Sequence, residues 1–389
     1  MSAILAPRAA AQALSVDRLA PHVARALGMA TSQVLEAFRP AAPGDLPAIL
    51  DLRRAVAGNG LWWDDERFLR WRYFDGMPGS ERGPYWVFEH DGRLLGCVGL
   101  EPVTLVVDGV PHPSVRSLDI MVHPSVDGLG IGALINLLLF RRYPLMLVTG
   151  TSERSRSLIG RMFSEVTALG ASKLLLRSRS VLEGRLEPHL AVSIAAPVVD
   201  ALLRLRRLAG RRVRRYGLRV ARLAAFDDDV DALAGHSERA GRIIVRRTSR
   251  YLNWRFVSNP RCSHAIFGAF QGNRLAGFIV TRFNTARPNP RGEAEIVDWL
   301  VDDEASPEEA DAVMAALLEA GLGYLERQGA SIVRQLTSDA ESQRRTRGHG
   351  FVLRPDERLP FFIHAEEAAL HQRLARGGWY LTGCDFDVD

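Results

Sequence analysis

Apolar residues recur along the first half of the chain in two patterns. Alternating and continuous apolar runs predict strands at 84–90, 94–104 and 115–122. A longer apolar run predicts a helix at 130–141, and a compact run directly after it predicts a strand at 145–150. The first two strands are separated by "DGRLLG", a hairpin signal, so the three early strands are expected to be antiparallel. This order predicts an α/β fold with a mixed sheet.

The same pattern occurs twice. "FLRWRY" at 68–73 is similar to "YLNWRF" at 251–256, and "DGRLLG" is similar to "GNRLAG" at 272–277. "SLDIMV" likewise matches "IVDWLV", which places Asp119 opposite Asp298. Because these matches keep their order and spacing, the chain is predicted to hold two tandem copies of one α/β unit.

The repeat predicts the domain organisation. A length of 389 residues suits two domains at about 150 residues each. We expect a helical extension at 1–33, the first copy at 34–179, a basic helical linker at 180–217 and the second copy at 218–389. In the linker an apolar stripe is interleaved with seven arginines between 204 and 215; the stripe consists of Leu202, Leu205, Ala209, Val213 and Tyr216. Such a helix can lie on an anionic membrane or pack between the domains, and we favour packing.

Composition limits the compartment and the partners. With 47% hydrophobic and 24% charged residues the chain is ordinary for a soluble globular protein, and no apolar run approaches the ~20 residues of a membrane span. No lysine or arginine precedes the first apolar stretch, so a signal peptide is not expected. The cysteines Cys97, Cys262 and Cys384 have neither metal-ligand nor disulfide spacing. We predict a cytoplasmic protein without a metal.

The positive charge comes almost entirely from arginine. The net charge is +5, yet Lys173 is the only lysine, and most of the excess is local. This skew is typical of GC-rich coding sequences, so we do not expect nucleic acid as a partner.

A glycine-rich loop precedes the predicted helix 130–141. In "HPSVDGLGIGALI" at 123–135 three glycines stand at alternate positions before an apolar helix, an arrangement that exposes backbone N–H groups to a phosphate. A dinucleotide loop turns tightly out of its strand, whereas Pro124 and its neighbours separate this strand from the glycines. A nucleotide-triphosphate loop is excluded because no Gly-Lys-Ser/Thr follows.

The segment from Val122 to Leu134 resembles the acyl-coenzyme A motif of the GNAT acyltransferase superfamily. "DGRLLG" and "TGTSERSRSLIGRMF" resemble the flanking motifs, and the likeness covers nearly the whole chain, as in tandem-domain members. The resemblance implies that acetyl-CoA or another acyl-CoA is the co-substrate. Its pantetheine arm would pair with the strand end, and the glycine loop would hold its pyrophosphate. The implied coenzyme-binding residues are Met121, Val122, Gly128, Leu129, Gly130, Ile131, Gly132, Ala133, Ser152 and Ser155.

The chain departs from the family pattern in three places. Asp127 stands where the family usually has Arg or Gln, and the family's frequent tyrosine acid falls at Ile159. Ser152 and Ser155 can serve as helix N-cap residues without any other function. The second copy has the acidic "DDEASPEEA" in place of the glycine loop, and its carboxylates would repel a pyrophosphate. The coenzyme is therefore expected in the first copy only.

Asp119 is the candidate general base. It lies in an apolar strand just before the coenzyme segment, where burial would raise its pKa. Alternatively it caps a neighbouring backbone or pairs with Arg116, and the recurrence of Asp298 slightly favours that structural role. The Trp-Arg pairs that begin at Trp71 and Trp254 are expected in the core. The terminal acids Asp385 and Asp387 could bind a cationic acceptor or lie in a solvated tail, and we favour the tail.

These features predict an acyltransferase that moves an acyl group, most simply acetyl, directly from coenzyme A to an amine of a small molecule or amino sugar. One alternative is a catalytically inactive GNAT scaffold that binds partners, with peripheral membrane contact through the arginines at 204–215. Another is an acyltransferase whose donor is an acyl carrier protein docked on those arginines.

Overall fold

The structure is a computed structural model that describes residues 14–58, 65–76, 85–183, 195–203, 217–239, 241–283, 289 and 291–386. Within these ranges the chain forms two compact units. Unit 1 comprises Met1–Leu105, Pro111–Thr167 and Pro360–Gly377, and unit 2 comprises Val106–Val110, Ala168–Leu359 and Gly378–Asp389.

Unit 1 contains the elements of the first sequence copy. Its strands pair in the order β1-β2-β3-β4-β5-β13, with β4 and β5 parallel and β5 and β13 antiparallel. The strands are β1 (Phe38–Pro40), β2 (Tyr85–His90), β3 (Arg93–Val107), β4 (Val110–Val122) and β5 (Leu145–Val148), with the end of β13 (Val352–Ala365). The helices are α1 (Val16–Leu27), α2 (Thr31–Glu36), α3 (Leu46–Ala57), α4 (Glu66–Tyr73), α5 (Ile131–Phe140), α6 (Glu153–Met162) and α12 (Ala368–Ala375).

Unit 2 repeats this order with the second sequence copy. Its strands pair in the order β6-β12-β11-β10-β9-β7, with β11 and β12 parallel. The strands are β6 (Ser164–Leu175), β7 (Leu218–Leu223), β8 (Ile243–Val245), β9 (His264–Gln271), β10 (Arg274–Phe283), β11 (Glu293–Val301), β12 (Ile332–Thr337) and β14 (Trp379–Tyr380). The helices are α7 (Arg179–Glu183), α8 (Asp228–Arg239), α9 (Ser249–Leu252), α10 (Pro307–Arg327) and α11 (Ala340–Gly348). The predicted mixed α/β fold in two tandem copies is confirmed.

Each unit is completed by a strand from the other copy. After α6 the chain enters β6, whose residues 170–175 pair antiparallel with β12 of unit 2. In the second copy β13 does the reverse, because Phe362–Ala365 pair antiparallel with β5 of unit 1. The compact units therefore differ from the predicted ranges 34–179 and 218–389, which follow sequence order. Local sequence patterns predict strands but do not specify which copy a terminal strand joins.

Unit 1 has two hydrophobic layers, one on each face of its sheet. On one face α5 and the N-terminal helix α1 pack together; buried residues there include Val23, Leu134 and Met146. On the other face α3 and α4 cover the sheet through residues that include Ile49 and Tyr73. The helical extension predicted at 1–33 is therefore part of the core of unit 1 from Val16 onward, and residues 1–13 lie outside the described part of the chain.

The Trp-Arg motifs are largely buried, as expected. Arg72, Trp254 and Arg255 are buried, and Trp71 is half-buried. The guanidinium of Arg255 donates to the backbone carbonyl of Phe386.

The prediction of a solvated C-terminal tail is wrong at Asp385. This carboxylate is buried, and it accepts a 2.7 Å hydrogen bond from Arg247. Asp387 lies outside the described residues. A terminal position says little about burial when a buried arginine elsewhere in the chain supplies the partner.

The basic linker is described only in part. Val198 and Leu202 on the helical segment 195–203 are 58% and 61% exposed, so the first residue of the predicted stripe is not packed away from solvent. The arginine run 204–215 and the rest of the stripe lie outside the described residues. Among the helices that are described, none has the length and apolarity needed to cross a membrane.

Candidate functional site

The candidate site lies where β4 and β5 of unit 1 stop pairing. The parallel ladder joins Val115 to Met146, Arg116 to Leu147 and Ser117 to Val148, and it ends there. β5 ends at Val148, while β4 continues to Val122. In the described part of the chain no other strand lies between β4 and β5. Beyond Ser117 the edge of β4 that faces β5 therefore has backbone groups available to a ligand.

A bulge in β4 follows the end of this ladder. Val115 packs on the α1–α5 face, and so do Ile120 and Val122. In a regular strand the residues on one face are all odd-numbered or all even-numbered, so the alternation must shift between 115 and 120. The parity changes at Asp119, which has a left-handed backbone with φ of 51°. Met121 accordingly packs on the opposite face with α3 and α4. A bulge of this kind bends a strand and redirects its backbone groups.

Asp119 is held by side chains from α3 and α4. Its carboxylate lies 3.1 Å from the guanidinium of Arg53 and accepts a 2.8 Å hydrogen bond from the hydroxyl of Tyr73. Burial alone would raise the pKa of Asp119, but the charges of Arg53 and Arg72 and the Tyr73 hydrogen bond outweigh it and lower this pKa. The expectation of a raised pKa is therefore wrong, because sequence reasoning did not place two arginines beside the carboxylate.

Arg116 is not the partner of Asp119. Arg116 lies 3.0 Å from Glu101, and Glu101 is also 3.3 Å from Arg72. All three side chains are almost completely buried. These charges extend the buried network of Asp119 to β3, because the charge of Arg72 acts on both Glu101 and Asp119.

The glycine loop connects the end of β4 to α5. His123 accepts a hydrogen bond from the Ser125 N–H and begins a short helical turn at 124–126. Gly128 and Gly130 follow with φ of 80° and 83°, values that side-chain-bearing residues rarely adopt. Gly130 is the N-cap of α5, so no side chain caps this helix. The sequence prediction of a loop that opens a helix is correct.

The first turn of α5 has free donors. Within the described residues, the N–H groups of Ile131, Gly132 and Ala133 make no hydrogen bond with the protein, and the first bond in the helix comes from Leu134 to the carbonyl of Gly130. These N–H groups point out of the helix start, where the helix dipole favours negative charge. The geometry suits an anion such as a phosphate.

Packing holds the loop in place. A Cβ at Gly130 would lie 2.9 Å from Leu19 of α1, and a Cβ at Gly132 would lie 3.4 Å from Val122 of β4. The N-terminal helix is thus in direct contact with the loop. Sequence analysis missed this contact, because nothing in the pattern of α1 indicates what it packs against.

Ser152 and Ser155 lie at the start of α6. The hydroxyl of Ser152 caps the helix by accepting from the Ser155 N–H, and the Ser155 hydroxyl contacts the Ser152 carbonyl at 3.1 Å. Ile159, at the position of the family's tyrosine, is buried in the core. The helix-capping interpretation is sufficient for both serines, and any contact with a coenzyme stays a prediction.

The corresponding loop of the second copy is satisfied by its own side chains. Ser306 caps α10 and shares a capping box with Glu309, whose carboxylate accepts from the Ser306 N–H and hydroxyl. The side chain of Asp302 accepts from the Glu304 N–H and lies 2.7 Å from His236. Carboxylates thus occupy the region that an anion would need.

The strand divergence of the second copy is filled by the C-terminal segment of the chain. The β11–β12 ladder ends at Ile296 and Gln335, two residues before Asp298. The β4–β5 ladder of the first copy likewise ends two residues before Asp119. Beyond that point Thr382 forms a bridge to Thr337, and its hydroxyl donates to Asp298. A Cβ at Gly383 would lie 2.9 Å from the carbonyl oxygen of Val297, so the segment lies directly on β11.

The buried aspartate of the second copy has a different environment. Asp298 shares Arg247 with a second carboxylate, Asp385. Burial raises the pKa of Asp298, with Asp385 acting in the same direction and Arg247 opposing them. Among the described residues no cluster of three or more His, Cys, Asp and Glu side chains is arranged to hold a metal.

No family model matches the sequence, and no curated protein sequence matches it either. In structure, however, the chain is similar to a GCN5-related N-acetyltransferase from Anabaena variabilis, with 10% identity and a TM-score of 0.56 over 84% of this chain and 71% of that one. It is also similar to a tandem GNAT protein from the clavulanic acid biosynthesis pathway, with 16% identity and a TM-score of 0.52 over 85% and 98%. The chain therefore has the GNAT fold in two tandem copies.

A third similar structure is Saccharomyces cerevisiae N-myristoyltransferase with bound myristoyl-CoA, with 14% identity and a TM-score of 0.54 over 84% of this chain and 78% of that one. Identities this low establish the fold alone.

Proposed function

We propose that the chain is an acyl-CoA-dependent acyltransferase with a single donor site, located in the first copy. The observation that carries the proposal is the pairing of an uncapped helix start at Gly130 with the strand divergence beside Met121 and Val122. A pyrophosphate on the free N–H groups and a pantetheine arm along the β4 edge together require both features. Similar structures named as N-acetyltransferases, or bound to myristoyl-CoA, support this assignment.

The proposed acyl group is acetyl, and the proposed acceptor is an amine of a small molecule or amino sugar. In the reaction the amine nitrogen attacks the thioester carbonyl, the C–N bond forms and the C–S bond breaks. Coenzyme A leaves as the thiolate, and the amine loses one proton. Three cysteines are present, and the two that are buried near charged networks, Cys97 and Cys384, have raised pKa values through burial, so direct transfer is favoured over a covalent thioester.

Asp119 is proposed to position β4 rather than to remove the proton of the amine. A carboxylate with a lowered pKa and an arginine partner is a weak base. Its contacts with Arg53 and Tyr73 instead hold the left-handed backbone that redirects Met121. Water is then the simplest carrier of the proton from the acceptor amine.

Two alternatives remain as proposals. Burial of Ile159 at the tyrosine position and the engagement of Asp119 in an ion pair favour a GNAT scaffold that binds a coenzyme without turnover. The exposure of Val198 and Leu202 beside the arginine run favours contact with an anionic surface, either a membrane or an acyl carrier protein that delivers the donor.

The test is a calorimetric titration of the purified chain with acetyl-CoA, longer acyl-CoA and free coenzyme A, followed by transfer assays on a panel of amines. Binding with transfer supports the enzyme. Binding without transfer to any amine supports the inactive scaffold, and transfer from an acyl carrier protein alone supports the carrier alternative. The absence of binding to every acyl-CoA would exclude a coenzyme site.

A further inference from the structure

Thr149, the residue that follows β5, has a buried hydroxyl that the proposed site has not used. Its side chain is 6% exposed, and its hydroxyl makes no hydrogen bond with any residue that the structure describes. A buried hydroxyl without a partner costs free energy that a methyl group would not cost. A partner outside the chain is one explanation for such a group.

Thr149 lies at the apex of the strand divergence. The β4–β5 ladder ends at Ser117 and Val148, so the next residues, Leu118 and Thr149, are where the two strands begin to separate. Val148 packs on the α1–α5 face, and alternation along the strand assigns Thr149 to the opposite face. Met121, the residue that follows the bulge by two positions, packs on that opposite face as well.

Acyl transfer requires donors at this point. The thioester carbonyl becomes a tetrahedral oxyanion when the amine attacks, and its stabilisation takes preorganised hydrogen-bond donors that are shielded from water. The backbone of β4 after the bulge can supply one donor from one side. The neighbouring strand supplies a hydroxyl, Thr149, that is already desolvated and has no acceptor in the described protein.

We propose that Thr149 donates a hydrogen bond to the carbonyl oxygen of the bound acyl donor and, during transfer, to the oxyanion. This inference rests on the proposed acyl-CoA site and adds a side-chain donor to it. The hydroxyl keeps its proton throughout, so no further acid or base is required. Sequence reasoning did not identify this residue, because only the structure shows that its hydroxyl is buried without a hydrogen-bond partner in the described protein.

The experiment compares Thr149→Val with Thr149→Ser. Valine has the same shape without the hydroxyl, so we expect kcat to fall about tenfold to hundredfold while the affinity for acetyl-CoA changes little. Serine should restore most of the rate. Because the hydroxyl has no partner within the described protein, Thr149→Val should be at least as stable as the parent chain in thermal unfolding.

Thr281→Val is the matched control. Thr281 is also a fully buried threonine, but its hydroxyl donates to the carbonyl of Ala265 in unit 2. This variant should lose thermal stability and keep its kcat. Thr149→Val should therefore lose kcat and keep its thermal stability, whereas Thr281→Val should do the reverse.

A measurement on bound acetyl-CoA that needs no acceptor amine completes the test. Infrared spectra of carbonyl-labelled acetyl-CoA bound to the parent chain should show a lower carbonyl stretching frequency than spectra of the Thr149→Val complex. An unchanged frequency and an unchanged kcat would overturn the inference, and so would a loss of rate proportional to a loss of stability. If the parent chain binds no acyl-CoA at all, the proposed function itself fails.

Discussion

The two copies share a fold but differ at the candidate site, which is open in the first copy and filled in the second. In the first copy α5 begins directly after Gly130 with free N–H groups, and no other described strand lies between β4 and β5 at the divergence before it. In the second copy Ser306 and Glu309 cap the corresponding helix, and Thr382 with its neighbours fills the divergence. The second copy thus closes both parts of the site with groups of the chain itself. Coenzyme binding is therefore expected in the first copy only.

The largest effect is expected from removing a buried aspartate. Asp119→Asn removes the buried charge that lies 3.1 Å from the Arg53 guanidinium, which should cost about 3–5 kcal/mol of unfolding free energy. Asp298→Asn should cost less, because Asp385 remains beside Arg247. Denaturant unfolding of both variants measures the difference. If Asp119→Asn retains full stability but loses turnover and the acidic limb of its pH profile, Asp119 is the general base instead.

The pH dependence of this effect has a definite sign. The folded state lowers the pKa of Asp119, so its carboxylate contributes stability above the ordinary aspartate pKa and loses that contribution as the pH falls below it. The stability difference between the parent chain and Asp119→Asn should therefore be largest near neutral pH and shrink in acid. A difference that grows on acidification would contradict the ion pair.

The second effect concerns the glycine loop. Gly132→Asp places a carboxylate in the first turn of α5, where it should repel the pyrophosphate and weaken coenzyme A binding about a hundredfold. The same charge favours the helix start but faces the apolar side chains of Val122 and Leu158, so thermal unfolding of the variant is measured beside its affinity. Gly132→Ala is the control, since a Cβ there meets Val122 at an ordinary 3.4 Å. Equal weakening by alanine would attribute the effect to size rather than to charge.

The glycine loop was predictable from the sequence. Glycines at 128, 130 and 132 before an apolar helix identify a backbone anion site, because the chemistry lies in the main chain and the glycines expose it. The partners of Asp119 were not predictable in this way. Arg53 and Tyr73 come from helices 66 and 46 residues away along the chain, and only tertiary packing brings them to the carboxylate.

The exchange of strands was also beyond sequence reasoning. The last strand predicted for the first copy is 145–150, so β6 and β13 were not predicted, and the pattern gives no sign that each one completes the other copy. The burial of Asp385 has the same origin, because its partner Arg247 lies 138 residues earlier in the sequence. Local periodicity reports which face of an element is apolar, whereas these features depend on which elements meet.

A third, smaller effect is expected in the second copy. Ser306→Ala removes the N-cap of α10 and should cost about 1 kcal/mol of unfolding free energy. Affinity for coenzyme A should not change, since the proposed site lies in the other copy. Thermal unfolding and calorimetry on the same sample measure both quantities. A gain of coenzyme binding on removing this cap would indicate a latent site in the second copy.

The smallest effect is expected at Asp127. This exposed carboxylate stands in the loop beside Gly128, and its charge should oppose a pyrophosphate through solvent. Asp127→Arg should tighten coenzyme A about fivefold, and more at low salt than at high salt. Weaker binding by the arginine variant would mean that Asp127 holds the loop in shape.

The stoichiometry of acetyl-CoA binding tests most directly whether only the first copy holds the donor. Calorimetric titration should give one equivalent per chain for the parent protein and for Ser306→Ala, and binding should be strongly weakened in Gly132→Asp. Two equivalents per chain, or one equivalent that persists unchanged in Gly132→Asp, would contradict a single site in the first copy.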